Sequence, residues 1–305
     1  MKLLEGKVIL VTGAGAGVGQ GIAREAARQG AKVIVNDLGV AIDGVSGASA
    51  GPAQETADLI LAEGGTASAN TDSVAEWAGA NRMVQQALDL YGRIDGVVNN
   101  AGNLRDVLFH KMNEEEFDAV IRVHLKGSWN VARAAAPHFK DQQSGAFVHM
   151  TSTSGLVGNL GQANYAAAKM GIVGLSRSIS IDMQKFNVRS NCVAPFAWTR
   201  MVGSIPTDTP EKAERMRKLS QSMDAGKIAP FTLSLLSDEA KGVTGQIFGV
   251  RNNEIFLFSQ PRPVRTMHAG EGWTVQSCVE RALPAFKPSM TPLELSRDAF
   301  NWDPV

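Results

Sequence analysis

The chain has 305 residues, in which 30 lysines and arginines balance 30 aspartates and glutamates, with 44% hydrophobic residues and 31 glycines. That composition excludes a disordered chain, and a net charge of zero leaves no basic footprint for nucleic acid or an anionic membrane. The length suits one large α/β domain or two ordinary ones. Cys192 and Cys278 stand far apart and outside any metal-binding spacing, so neither a disulfide framework nor a zinc site is expected. No run approaches the roughly 18 apolar residues of a membrane span. A cytoplasmic protein is expected.

From Lys7 onward, short β-branched runs alternate with glycine-rich or polar turns and amphipathic stretches of helical period. The pattern predicts strands over Val8–Val11, Lys32–Asn36, Thr66–Asn70, Ile94–Asn99, Ala146–Thr151, Val188–Ala194 and Gln246–Val250. Their near-continuous Val and Ile content suits parallel strands covered on both faces. Helices are predicted over Val18–Gln29, Pro52–Ala62, Val74–Tyr91, Glu114–Phe139, Ala163–Phe186 and Ala229–Leu236, with Gly30 and Gly92 as stops. Leu38–Gly51 reads as a surface insertion, and Pro195 to about Gln221 as either a mobile lid or a loop followed by a solvated charged helix. Beyond Val250 the alternation stops in a proline-containing tail that still carries Phe256, Phe258, Trp273 and Trp302. The expected organisation is therefore a domain over 1–250 and an extension over 251–305 that packs on the core or on a neighbouring subunit.

After the first predicted strand comes Thr12-Gly13-Ala14-Gly15-Ala16-Gly17-Val18-Gly19, opening directly into a helix. Glycines allow a tight turn and close approach to a pyrophosphate, which the unpaired N–H groups and positive end of the helix favour. Asp37 ends the second strand about twenty residues further on, where a carboxylate accepts from an adenosine ribose and repels a 2′-phosphate. With no Arg or Lys placed to receive that phosphate, NAD is expected rather than NADP. Asp72 follows the third strand, either to reach the adenine or to begin an Asx turn.

Ser152, Tyr165 and Lys169 form Ser-x12-Tyr-x3-Lys, the last two four apart and so on one helix face. The charge of Lys169, added to that of an oxidised nicotinamide, is expected to lower the phenol from its usual ~10 and make Tyr165 a general base. Ser152 is placed to orient the substrate oxygen.

Together with Asn99-Asn100-Ala101-Gly102, these motifs resemble the short-chain dehydrogenase/reductases over roughly residues 6–250. The resemblance implies one Rossmann-type, doubly wound, seven-stranded parallel sheet with helices on both faces, and hydride transfer to or from a nicotinamide. It carries Gly13, Gly15, Gly17, Val18, Gly19, Asp37, Asp72, Asn100, Ala101, Gly102, Tyr165, Lys169, Pro195 and Thr199 to the cofactor, Asn100 mainly bracing the sheet and Thr199 meeting the carboxamide. His124 stands where most of the family has an Asn of the proton relay, a contact attributed largely to the main-chain carbonyl; it is either part of that relay or a buried structural histidine. Pro195-Phe196 replaces the usual Pro-Gly.

Val35–Gly39 with its insertion, Arg122–Ser128 and Gly158–Tyr165 further resemble the dehydrogenase part of the peroxisomal multifunctional enzyme type 2 group. That group oxidises (3R)-hydroxyacyl-CoA and is associated with 17β-hydroxysteroids, so this chain reads as a free-standing bacterial relative. The expected substrate is an acyl-CoA or steroid-like secondary alcohol, with Leu156, Val157, Phe196, Trp198 and Met201 as candidate pocket residues; a 3-oxoacyl-carrier-protein reductase using NADPH is the alternative, against which Asp37 speaks. Ala166, Ala167, Ala168, Gly171, Gly174 and Ser178 permit close helix packing, within the subunit or in an expected homotetramer or dimer.

Overall fold

Val8–Thr12 is buried at every position, and its side chains alternate between two cores. Ile9 and Val11 of this strand, β1, pack with Val18, Ile22 and Ala26 of helix α1 (Gly17–Arg28), whereas Val8 and Leu10 pack with Met83, Val84 and Val131 on the opposite face. Burial on both sides is why the strand carries no polar alternation, and each large side chain so covered contributes roughly 1.5–3 kcal/mol. The computed structural model describes residues 2–40, 51–197, 209, 214 and 223–304.

Strands β2 (Lys32–Asn36), β3 (Thr66–Asn70), β4 (Gly96–Asn99), β5 (Gly145–Met150), β6 (Val188–Phe196) and β7 (Ile247–Arg251) join β1 in parallel. The sheet order is β3-β2-β1-β4-β5-β6-β7-β8. Strands β1 to β7 are the seven parallel strands expected, and an eighth, β8 (Glu254–Leu257), adds to them by pairing antiparallel with β7. The reversal turns on Asn252, at φ +54, in the Asn-Asn step of a short hairpin.

Helices α2 (Gly51–Ala62), α3 (Trp77–Tyr91), α4 (Glu114–Ile121), α5 (Gly127–Gln142), the single turn α6 (Thr153–Leu156), α7 (Ala163–Met183) and α8 (Ala229–Ser234) fill the connections. Gly30 and Gly92 stop α1 and α3 at φ +91 and +76, as their positions predict. The one helix expected over Glu114–Phe139 is divided instead. Arg122–Lys126 forms a π-turn in which the Gly127 N–H reaches back five residues to the Arg122 carbonyl. The extra residue in that turn accompanies the inward position of His124, and Gly127 has no room for a side chain because a Cβ would lie 2.8 Å from Val74 Cγ2.

The order reverses direction between β1 and β4, so the C-terminal ends of these strands open a crevice at the switch point. Thr12–Gly13 and Asn99–Gly102 flank it. Among the described residues, no helix is long and apolar enough to cross a membrane. Beyond β8 the chain forms one continuous irregular helix, from Val275 through the π-turn Cys278–Ala282 and Leu283–Phe286 to Ser289, and a final turn at Ser296–Ala299.

Candidate active site

At the switch point the end of β1 is tied to the end of β4. Thr12 Oγ1 accepts from the N–H groups of Asn100 and Ala101 at 3.0 and 3.1 Å, and Asn100 Nδ2 donates to the Thr12 and Gly13 carbonyls at 3.0 and 2.9 Å. Asn100 therefore braces the loop. The packing is so close that a Cβ on Gly19 would lie 2.2 Å from the Gly13 oxygen and one on Gly13 2.8 Å from Ala101 Cα.

Ala16 gives α1 no side-chain cap, which leaves its first N–H groups facing a cavity of about 420 Å³. At the far side of the loop, Asp37 Oδ2 accepts from Gly15 N and Oδ1 from Gly39 N, both at 2.8 Å. Asp72 Oδ1 pairs with Arg82 and its Oδ2 accepts from Asn70 at 3.1 Å, while the Asp72 N–H donates to Asn70 Oδ1 at 3.0 Å. Of the residues assigned to the cofactor from sequence, Gly13, Gly17, Val18, Asp37, Asp72, Asn100, Ala101, Gly102, Tyr165, Lys169 and Pro195 line this one cleft. Gly15 and Gly19 shape the loop behind it, and Thr199 lies outside the described residues, as do Trp198, Met201 and most of the expected lid and of the insertion. An uncapped helix start, a close glycine turn and a fixed carboxylate at the end of β2 fit a dinucleotide.

The other end of the cleft holds Ser152, Tyr165, Lys169 and His124. Ser152 caps α6, its Oγ accepting from Ser154 N at 3.1 Å, and as a neighbouring polar group it favours the ionised form of the Tyr165 phenol. Lys169 is 4% exposed and its Nζ donates to the Met150 carbonyl at 2.6 Å, 5.5 Å from the Tyr165 ring centre. Burial pushes the phenol up to about 12, opposed by Ser152, and draws the ammonium down to about 7. In the protein alone, loss of water around Tyr165 thus sets the direction; the expected lowering concerns the complex, where the charge of an oxidised nicotinamide adds to that of Lys169.

His124, 2% exposed, meets the Tyr165 ring edge-on at 5.1 Å between centres. Its Nε2 lies 3.1 Å from Asn103 N and 2.8 Å from Asn103 O, and its carbonyl accepts from Ser128 Oγ at 2.6 Å. Burial, with the Lys169 charge, lowers the ring to about 3, so it is neutral at ordinary pH. Gly102 makes room for it, since a Cβ there would lie 2.4 Å from His124 Cε1. A second buried histidine, His149, accepts at Nδ1 from Asn99 Nδ2 at 3.1 Å and is likewise lowered to about 3.

One residue of this wall, Gln162, has no role assigned to it from the sequence. Gln162 takes hydrogen bonds from Ser154 Oγ at 2.8 Å and Asn159 Nδ2 at 3.1 Å, and gives one to Asp106 Oδ2 at 2.8 Å. Its sequence signal is its place within the Gly158–Tyr165 motif, three residues before Tyr165. Of the expected pocket residues that are described, Leu156, Val157 and Phe196, none lines the cleft: Phe196 packs against Phe256 and Phe300, and Leu156 against the cluster of Ile172, Val173, Cys192 and Ile247. The described residues hold no cluster of metal ligands.

A parallel sheet that binds a dinucleotide at its switch point beside Ser, Tyr and Lys defines a dehydrogenase of the Rossmann class. Residues 7–209 match the short chain dehydrogenase family, and the chain belongs to it as an oxidoreductase. It is 50% identical over 210 residues to a short-chain type dehydrogenase/reductase of Mycobacterium tuberculosis, covering 68% of this chain and 73% of that one. It is 39% identical over 310 residues to the peroxisomal multifunctional enzyme type 2 of Mus musculus, covering 99% of this chain but only 37% of that protein. A hydroxyacyl-CoA dehydrogenase of Mycobacterium tuberculosis is 36% identical over 291 residues, 88% of this chain and 85% of that one. Among solved structures, a 7α-hydroxysteroid dehydrogenase complexed with NADH and 7-oxoglycochenodeoxycholic acid superposes with a TM-score of 0.72 at 28% identity, over 82% of this chain and 94% of that one.

Proposed function

We propose that the protein is an NAD-dependent dehydrogenase that interconverts a (3R)-hydroxyacyl-CoA and its 3-oxoacyl-CoA. The observation that carries the chemistry is the placement of Ser152, Tyr165 and Lys169 at one end of a cleft whose other end is Asp37. The substrate reading draws on likeness to the hydroxyacyl-CoA dehydrogenase and on a likeness to the mouse enzyme that runs along 99% of this chain. Asp37 supports NAD because its two oxygens are held by Gly15 and Gly39, aimed where a 2′-phosphate would meet a negative charge.

Gly13, Gly17, Val18 and Asp37 would hold a nicotinamide dinucleotide, which supplies the hydride acceptor. Ser152 donates to the substrate oxygen and fixes its direction. Tyr165 takes the hydroxyl proton in oxidation and returns one to the carbonyl oxygen in reduction, with Lys169 as the nearby cation. His124, neutral and bonded to Asn103, supports the Tyr165 ring edge-on. The exposed Met170 and Ile181 of α7, with Gly174 facing open space, fit a homo-oligomer through that helix, which light scattering tests.

The deciding assay follows NADH formation from a long-chain (3R)-hydroxyacyl-CoA, its 3S epimer and a 17β-hydroxysteroid, each with NAD and NADP. Preference for the 3R thioester with NAD is expected. Turnover of the steroid alone, or preference for NADP, would overturn the reading.

A further inference from the structure

The last residues of the chain touch the active-site wall and the sheet edge together. Ser296 donates twice to the Gly158 carbonyl, from its backbone N–H and from its Oγ, each at 2.9 Å. Gly158, at φ +144, lies so close to this strap that a Cβ would come within 3.3 Å of the Glu294 oxygen. Gly158 ends the turn that Ser152 begins: the N–H groups of Val157 and Gly158 both bond to the Thr153 carbonyl, at 2.8 and 3.1 Å. Asn159 and Gln162, just beyond, line the cleft.

Further along, Phe300 packs against Phe196 at 4.8 Å and Phe256 at 5.4 Å between ring centres. Trp302 Nε1 donates to Glu254 at 2.7 Å, and the Arg251 guanidinium lies 5.2 Å over the Trp302 ring. Phe196 directly follows Pro195, a cleft residue on the opposite wall. The strap therefore joins the loop after Ser152 to the exit of β6, although neither Ser296 nor Phe300 lines the cleft.

We propose that this strap is a positioning element of the active site, in which Ser296 fixes the Thr153–Gln162 wall and Phe300 fixes the strap to the sheet. Its consequence is for substrate binding: the wall is held in the shape that accepts the acyl chain. The kinetic arm of the test rests on the proposed hydroxyacyl-CoA function, and the exchange arm does not.

Ser296→Pro isolates the clamp. Ser296 is the first residue of the turn Ser296–Ala299, where proline is tolerated, and Leu295 at φ −89, ψ 158 is extended, as a residue before proline must be. Both bonds to Gly158 are lost while the turn's own bonds from Ala299 to Leu295 and from Phe300 to Ser296 remain. Hydrogen–deuterium exchange of peptides covering 153–162 should quicken about 3- to 10-fold, as the loss of one or two neutral hydrogen bonds implies. KM for a long-chain (3R)-hydroxyacyl-CoA should rise by a similar factor, with kcat and the KM for NAD within about twofold. Ser296→Thr, which keeps both donors, should restore parent values, and Phe300→Ala should quicken the same peptides with Ser296 intact. Unchanged exchange in Ser296→Pro would overturn the clamp, and faster exchange with an unchanged KM would overturn its role in substrate positioning. If the parent turns over no hydroxyacyl-CoA, the proposed function fails while the exchange result still decides whether the strap holds the wall.

Discussion

Asp37→Asn separates the two jobs that one carboxylate performs. In the parent, Oδ1 accepts from Gly39 N and Oδ2 from Gly15 N, each at 2.8 Å, which leaves lone pairs on both oxygens for ribose hydroxyls. A carboxamide keeps one acceptor oxygen, so its NH2 must face one of the two backbone N–H groups. A ribose hydroxyl that donates to the carboxylate likewise loses its charged acceptor, at about 1.5–3 kcal/mol. That corresponds to NAD binding about 10- to 150-fold weaker. NADP should gain at the same time, because the charge that opposes a 2′-phosphate is gone, so the preference for NAD contracts from both sides. Titration of both dinucleotides by calorimetry, with the thermal midpoint as a check on folding, reads the effect. An NAD affinity within twofold of the parent, together with an unchanged NAD to NADP ratio, would refute the assignment of Asp37 as the ribose acceptor.

Tyr165→Phe should lower turnover by at least about 10²-fold while NAD affinity, measured by calorimetry, stays within about twofold. Gly19→Ala should abolish tight NAD binding and destabilise the protein by about 1–3 kcal/mol in urea denaturation, since the added Cβ meets the Gly13 carbonyl at 2.2 Å. With the phenol raised to about 12, the base form of Tyr165 becomes scarcer as pH falls, so kcat/KM for alcohol oxidation should climb across the alkaline range while that for ketone reduction falls; a flat oxidation profile would contradict this. His124 and His149 are lowered to about 3 from an ordinary value near 6.5, so the unfolded chain binds more protons than the folded one between these limits. Their contribution to stability is complete above about 6.5 and is lost as pH falls through about 3, and acid denaturation followed by circular dichroism should begin later in His124→Asn than in the parent.

The parallel sheet and the cleft were legible in the sequence because their signals are local. A buried strand such as Val8–Thr12 is apolar throughout, and Gly13, Gly17 and Gly19 stand where backbone meets backbone. Tyr165 and Lys169 declare their shared face by spacing. What escaped depends on distance in sequence. The division of Glu114–Phe139 by a π-turn leaves the apolar pattern nearly intact, and its partners, Gly102, Asn103 and Val74, lie in other segments. Strand β8 had a signal, the Asn252-Asn253 step followed by alternating Ile255 and Leu257, but it fell where the regular rhythm of strand and helix had ended. Gln162 could not be read as the tie between Ser154 and Asp106 from one sequence position, because 56 residues separate it from Asp106.

The phenol and the amine of the catalytic pair are each shifted toward neutrality, for the same reason. Burial penalises phenolate and ammonium alike, raising Tyr165 to about 12 and lowering Lys169 to about 7. Each charged form is also a stabilising partner for the other, since opposite charges in a poorly solvated site interact more strongly than in water. A cationic group entering the same cleft favours the phenolate and opposes the ammonium, whereas a hydroxyl acceptor near Nζ favours the ammonium. The Met150 carbonyl already supplies one such acceptor at 2.6 Å. Ser152 lies on the other side and favours the phenolate that burial opposes. In the proposed mechanism, therefore, the base form of Tyr165 is favoured by the charge that arrives with the dinucleotide and by polar groups that the fold holds in place beforehand.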